Sequence, residues 1–376
     1  AHADHSVRIP ELANKFPEAV VCTTQETLEM CFIQWKDSLS AFSRKERTTG
    51  EKPPYTAGDI QRMVKEQVQV IPFWHRVELP ANVTMLPPNA GHILGAMSSF
   101  FVQDLGIGKK CSVFHSSDFL FDNQNLIPGA PKRFLPNTEI GTIVSEATNI
   151  GSPAVNRKVE IQRFIDAVNE VLRNGGRVVI PVFKIHRAQE IWEILLSHGI
   201  PISKVFVDGN ASELFGIYQK YTSIRYLPKS QIIRNEMFDR WKRWNSGDPC
   251  VILAFGGMVQ ERSAAWHNTR MVIENERDAF FAVGYMDPCA PGGELLDAIT
   301  KEKKEIDIGL ERFEIKCRVE RFALSGHEGN DGLLYLAARA RDRVIFTHGD
   351  GKRVREHLKN APRHHFHGVN GKEFLL

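Results

Sequence analysis

The sequence has few cysteines, no long apolar run and little net charge, and each shortage removes a class of protein. Cys22, Cys31, Cys111, Cys250, Cys289 and Cys317 lie far apart with no CxxC pair, so no disulfide framework is indicated and the six read as reduced structural thiols. No stretch of about 18 apolar residues occurs and no secretory leader stands at the visible start. Neither membrane nor export is indicated, and a cytoplasmic location is expected. There is no internal repeat and no low-complexity segment. A net charge of +3 over 376 residues permits a polyanionic substrate without demanding one, because a groove needs local rather than total charge.

What is present is an ordinary globular composition, 42% hydrophobic and 25% charged, in a chain long enough for two domains. Its densest chemistry lies in Ala1-His2-Ala3-Asp4-His5-Ser6. Two imidazoles and a carboxylate within four positions suit zinc or another divalent first-row ion, with a solvated His-rich terminus as the alternative. A start without Met, inside such a cluster, gives the expectation of a fragment or a split protein.

Along the chain, 11–49 suggests a strand or two with a helix, 44–54 a charged loop, and 57–70 a helix with Asp59 near its N-cap. His92 sits between Gly91 and Gly95, where the backbone can turn and project an imidazole. Alone it would be a core or surface residue; beside a metal cluster it is a candidate ligand. Asp118 and Glu146 each follow an apolar strand, which suggests one polar rim at a sheet edge. From 151 the pattern becomes α/β: helices over 157–174 and Arg187 to Leu196 alternate with apolar strands at 178–183, 205–208, 251–254 and 280–285. Arg240-Trp241-Lys242-Arg243-Trp244 interleaves cations with aromatics, which suits stacked bases and phosphates or, equally, a half-buried helix. The stretch 301–313 reads as a solvated connection. His327 and His348 follow strands in glycine-bearing turns, whereas His364, His365 and His367 read as a surface tail.

Assembled, these pieces resemble the β-CASP nucleases of the metallo-β-lactamase superfamily. His2-Ala3-Asp4-His5 is similar to the latter part of the HxHxDH signature, Gly91-His92 to the third motif and Asp118 to the fourth. Ser145-Glu146-Ala147-Thr148 resembles β-CASP motif A, Ser325-Gly326-His327 motif B, and Thr347-His348-Gly349 motif C. Gly176 to Glu190 resembles the strand–helix segment early in the cap, and Ala254-Phe255-Gly256-Gly257-Met258 is loosely similar to a cap loop.

The resemblance implies an αββα lactamase sandwich, N-terminally incomplete here, over 1–150 and 306–376, with an α/β cap inserted at 151–305. It implies two zincs, with manganese as an alternative: His2, His92 and Asp118 on the first, and Asp4, His5, Asp118 and His348 on the second. Asp4, Glu146 and His327 become the catalytic candidates, with His327 oriented by Glu146 at the leaving oxygen. Hydrolysis of single-stranded RNA to 5′ phosphate and 3′ hydroxyl ends follows. Arg187, Ser325, Arg240, Trp241, Lys242 and Arg243 are candidates for RNA contact. The signature's opening His would fall before Ala1, so a missing N-terminal polypeptide is expected to supply it, and a homo-oligomer is allowed. Lys184-Ile185-His186 stands where relatives carry Ala-x-Gly. The alternatives are a non-catalytic RNA-binding scaffold, and a hydrolase of a small ester or of single-stranded DNA.

Overall fold

Local signals set the first elements. The computed structural model describes residues 1–132, 140–234 and 236–369, and it divides into a unit of Ala1–Ala154 with Gly326–Leu376 and a unit of Val155–Ser325. The first unit opens with α1 (Ala3–Ser6) and α2 (Ile9–Lys15), the latter with Pro at its first turn, where a missing N–H costs nothing. Trp35 Nε1 donates to Ser6 O at 2.9 Å, which pins the end of α1 to the long helix α3 (Gln25–Thr49). The 44–49 segment, expected to be a loop, belongs to α3. Its Arg, Lys and Glu are good helix formers, and the helix stops only at Gly50, held at φ 75°. Before it, β1 (Val21–Thr23) pairs in parallel with β2 (Val68–Val70), which follows α4 (Ala57–Glu66). Thr56 and Asp59 form the capping box of α4.

β3 (Val77–Leu79), β4 (Val83–Leu86), β5 (Ser99–Asp104) and β6 (Lys110–His115) form an antiparallel meander, and β7 (Ile140–Glu146) adds in parallel to β6.

The second unit alternates helix and strand. Its elements are α5 (Arg157–Arg173), β8 (Val178–Val182), α6 (Arg187–Ser197), β9 (Val205–Asp208), α7 (Ser212–Tyr221), β10 (Ile232–Ile233), α8 (Met237–Asn245), β11 (Val251–Phe255), α9 (Ala264–Val272), β12 (Ala279–Ala282), α10 (Pro291–Thr300), β13 (Glu305–Ile308), β14 (Glu311–Glu314) and β15 (Arg318–Arg321). Six of these strands form one parallel sheet in the order β10-β9-β11-β8-β12-β15. The near-continuous apolar runs of β8, β9, β11 and β12 reflect burial on both faces. The 301–313 stretch is not a plain connection: β13 and β14 pair as a hairpin, and alternate residues Ile306 and Ile308 are buried. Because β15 pairs with β12, residues 306–325 lie in this unit, which runs to Ser325.

The chain then returns through α11 (Asn330–Ala337), β16 (Ala340–Thr347), α12 (Gly351–Leu358) and β17 (His365–His367). β16 inserts in parallel between β7 and β17, completing a seven-stranded mixed sheet around Phe100, Phe114, Ile143 and Phe346. His365 and His367 are therefore strand residues rather than a tail, and the His365 ring stacks on His357 with centroids 5.9 Å apart. The described residues thus form a mixed α/β fold with several sheets, and none of their helices is long and apolar enough to cross a membrane.

In the second unit one polar cluster is wholly enclosed. Asp208, at the end of β9, accepts from Arg240 Nε (2.7 Å) and Nη2 (3.0 Å) and from Asn268 Nδ2 (2.6 Å). All three residues are buried. Removing the guanidinium would leave a buried carboxylate without its counter-charge, which costs about 3–5 kcal/mol. Arg240→Ala is expected to lower unfolding stability by that order in urea denaturation, whereas Trp241→Ala, one residue on and exposed, should change it by less than about 0.5 kcal/mol.

Candidate metal centre

The centre is assembled by the first unit alone. β6, β7 and β16 run parallel, so their carboxyl ends fall on one edge of the sheet. β7 delivers Glu146 at its last position, and β16 ends at Thr347, immediately before His348. Beyond β6 the chain reverses through Ser117, held at φ 55°, and presents Asp118. His92 follows Gly91, which sits at φ 70°, where a Cβ would lie 2.3 Å from Leu120 O and 2.4 Å from Ala130 N. Only glycine fits there, and the turn it permits buries His92. His2, Asp4 and His5 arrive on α1, which the Trp35 bond anchors.

Their donor atoms converge. His2 Nδ1 lies 3.2 Å from His92 Nε2, which is 3.7 Å from Asp118 Oδ2. Asp4 Oδ2 is 3.1 Å from His348 Nε2 and 3.6 Å from His5 Nε2. Asp118 joins the sets: Oδ2 meets His5 Nε2 at 2.9 Å, and Oδ1 lies 3.1 Å from His348 Nδ1. Metal bonds of about 2.0–2.1 Å in a tetrahedron place neighbouring ligands about 3.3 Å apart. The observed spacings match that edge. Moreover, Asp118 Oδ1 is buried and accepts no well-formed hydrogen bond, and a buried carboxylate oxygen without one has a metal as a natural partner. His2 with His92 and Asp118, Asp4 with His5 and His348, and Asp118 with Glu146, His327 and His348 each bring their ligand atoms within 4.8 Å of one another. The residues present fit a metal.

Protonation accords with this. His92 Nδ1 faces the Gly326 carbonyl at 2.8 Å; a carbonyl only accepts, so Nδ1 carries the proton. Burial lowers the His92 pKa well below its usual value, which leaves Nε2 with a lone pair aimed at His2 and Asp118. Burial opposes ionisation of Asp118, yet the His5 hydrogen bond and the nearby imidazoles hold its pKa below the carboxylate range. His348, bonded to Asp4, is raised to about 9. Its proton must leave before it can act as a ligand.

Beside the donors stands a second pair. His327 Nδ1 contacts both Glu146 oxygens, at 3.0 and 3.1 Å. Burial works against a charge on His327, but Glu146 outweighs it and the pKa is raised. The carboxylate is itself fixed by the amides of Phe119 and Thr148, each at 3.2 Å. The His327 ring lies 4.5 Å from that of His92 and 5.8 Å from that of His348, centroid to centroid.

Two contributors escape inspection of the sequence. Thr148 Oγ1 donates to His348 O at 3.0 Å and lies 3.3 Å from His327 Nδ1, and the Gly326 carbonyl sets the His92 tautomer. Both stand inside stretches already singled out, two residues after Glu146 and one before His327, but their roles depend on the fold.

The six residues expected at RNA divide. Arg187 is buried, with Nη1 donating to Leu324 O at 2.6 Å, and burial then Arg157 lower its pKa to about 10. Arg240 is spent on Asp208. Neither is offered to RNA, because both are enclosed within the second unit. Arg243 packs over Phe206 and pairs with Asp248 at 3.1 Å. Trp241 and Lys242 are exposed, Trp241 stacking on Phe238 at 6.1 Å, and Ser325 is half-buried with its carbonyl accepting from Arg157.

No family model matches the chain. Transcription termination factor FttA of Cenarchaeum symbiosum is 27% identical over 97% of this chain and 59% of its own length. An RNase J-like protein of Methanocaldococcus jannaschii is 26% identical over 93% of this chain and 80% of its own length, and RNase aCSPSF2 of Saccharolobus solfataricus 25% identical over 93% and 67%. The chain spans a little over half the length of the FttA relatives. Among solved structures, a protein of unknown function from Enterococcus faecalis shares the fold, with a TM-score of 0.52 at 11% identity, over 94% of this chain and 74% of that one. Relatives named as FttA, RNase J-like and aCSPSF2 proteins match nearly the whole length of the chain, and the motif residues by which it resembles the β-CASP nucleases of the metallo-β-lactamase superfamily are drawn together at one sheet edge.

Proposed function

We propose that the chain is a metal-dependent phosphodiesterase that hydrolyses single-stranded RNA, leaving 5′ phosphate and 3′ hydroxyl ends. The observation that supports it most is Asp118, one buried carboxylate shared by two converging donor sets, with the His327–Glu146 pair alongside. On this reading the unit of Ala1–Ala154 and Gly326–Leu376 is the lactamase sandwich and Val155–Ser325 the inserted cap. His2, His92 and Asp118 would hold one zinc, and Asp4, His5, Asp118 and His348 a second, with manganese the alternative. When bound, such a pair supplies a nucleophile at neutral pH and charge stabilisation at phosphorus.

The protein's own residues do the rest. The Gly326 carbonyl keeps His92 in the tautomer that presents Nε2. Glu146, itself clamped by two amides, orients His327 and favours its protonated form, so that His327 can deliver a proton from Nε2 to the departing 3′ oxygen. Thr148 ties His327 to the loop that carries His348. Support for RNA as the substrate comes from the relatives, two of which are named as ribonucleases or ribonuclease-like.

Metal analysis by plasma mass spectrometry, paired with cleavage of a labelled single-stranded RNA, tests this. Bound zinc and cuts bearing 5′ phosphate, both lost after chelation, are expected; a folded chain with neither metal nor cleavage would refute the enzyme and favour a scaffold.

The two halves of the centre should separate by mutation. Asp118→Ala is expected to lose metal and activity together. His327→Ala should keep its metal while cleavage slows by about 10²–10⁴-fold, the usual contribution of a positioned acid or base. Both variants cutting at the wild-type rate would mean that the centre is misplaced.

A further inference from the structure

The second unit has an aromatic surface that the metal centre does not use. β8, β11 and β12 are neighbours in its parallel sheet, and their carboxyl ends carry Phe183, Phe255 and Tyr285. The strands themselves are buried, yet Phe183 is 36% and Tyr285 49% exposed. Phe183 and Tyr285 leave the core where the strands stop, and Phe255 between them is half-buried, packed on the core from its outer side.

The surface is built rather than incidental. Gly257 lies against the Phe183 ring, where a Cβ would come within 3.0 Å of Cδ1 and Cε1. Gly209 does the same at Phe255: it sits at φ 132°, and a Cβ there would meet the ring at 2.5 Å. Met258 then ties the 256–259 loop to the segment after Tyr285, its Sδ accepting from Asp287 N at 3.3 Å and its carbonyl from Gly292 N at 3.3 Å. Three strand ends are thereby held as one strip, with glycines keeping side chains off two of the rings.

The chemistry of the strip selects its ligand. Amides of α6, the helix that follows Phe183, are already engaged: Arg187 N donates to Ile185 O (2.9 Å), Ala188 N to Phe183 O (3.2 Å) and Glu190 N to His186 O (2.8 Å). An anion-binding helix start is therefore not what this edge offers. It offers ring faces, with the exposed guanidinium of Arg262, 3.6 Å from the equally exposed Glu261 carboxylate, a few residues beyond Met258. Open α/β sheets bind ligands outside the carboxyl ends of their strands, and flat π-faces beside a cation suit unpaired bases.

We propose that Phe183, Phe255 and Tyr285 form a stacking platform for unpaired RNA bases. This rests on the RNA reading above, and it assigns to the second unit a contact with bases rather than with phosphate.

The test is fluorescence anisotropy of a labelled single-stranded RNA in chelator, so that binding is read without cleavage. An intact oligonucleotide is compared with one carrying abasic sites along the same backbone, for the wild type, Tyr285→Ala and Phe183→Leu, each confirmed folded by circular dichroism. Loss of one stacked base weakens binding by about tenfold. The wild type should lose about that much on going to the abasic strand, each variant should bind the intact strand about tenfold more weakly, and the abasic penalty should shrink in the variants. Variants that bind the intact strand like wild type, or that retain the full abasic penalty, would overturn the platform. Hydrolysis of bis(p-nitrophenyl) phosphate by the zinc-loaded wild type reports separately on the metal centre, so failure of one proposal is not mistaken for failure of the other.

Discussion

Asp118 is a buried carboxylate that must stay ionised, and the surrounding architecture answers that constraint. A lone carboxylate in such a place would take up a proton. Here His5 bonds Oδ2, which His92 also faces, while His348 and His327 stand on the other side, and Oδ1 still accepts no well-formed hydrogen bond. Imidazoles placed this close compete for protons, and the Gly326 carbonyl resolves that competition at His92. Converging lone pairs and an under-satisfied carboxylate make an arrangement that a cation would relieve.

The scaffold needed for this is modest. Parallel pairing of β6, β7 and β16 puts three carboxyl ends in line, a glycine turn supplies His92, and one indole hydrogen bond fixes the helix that carries His2, Asp4 and His5. Ligands come from residues 2 to 348, and the Val155–Ser325 unit is an excursion between Glu146 and His327. The two members of the proposed acid pair thus flank the whole second unit in sequence and meet at 3.0 Å in the first.

Much of this was legible in the residues themselves. Short motifs with tight spacing, such as His2-Ala3-Asp4-His5, carry their chemistry openly, and apolar runs between helices marked the parallel sheet. Context-dependent features were not legible. Arg240 looked like a phosphate ligand, but Asp208, 32 residues earlier, claims it in the core; linear spacing does not reveal a partner on a different element. The β13–β14 hairpin was masked by charge, because only Ile306 and Ile308 face inward. α3 ran past its expected end since charged residues that look like a loop are also good helix formers. In sequence β17 reads as a tail because histidine is a poor marker of a strand, and its pairing with β16 is decided by the sheet.

The central claim is that the donors around Asp118 hold metal. Crystals of the chain grown with zinc, measured on both sides of the zinc absorption edge, test it most directly. Anomalous peaks among His2, His92 and Asp118 and among Asp4, His5 and His348 are expected. Well-ordered side chains at this sheet edge with no anomalous signal, or zinc bound only elsewhere on the protein, would contradict the account.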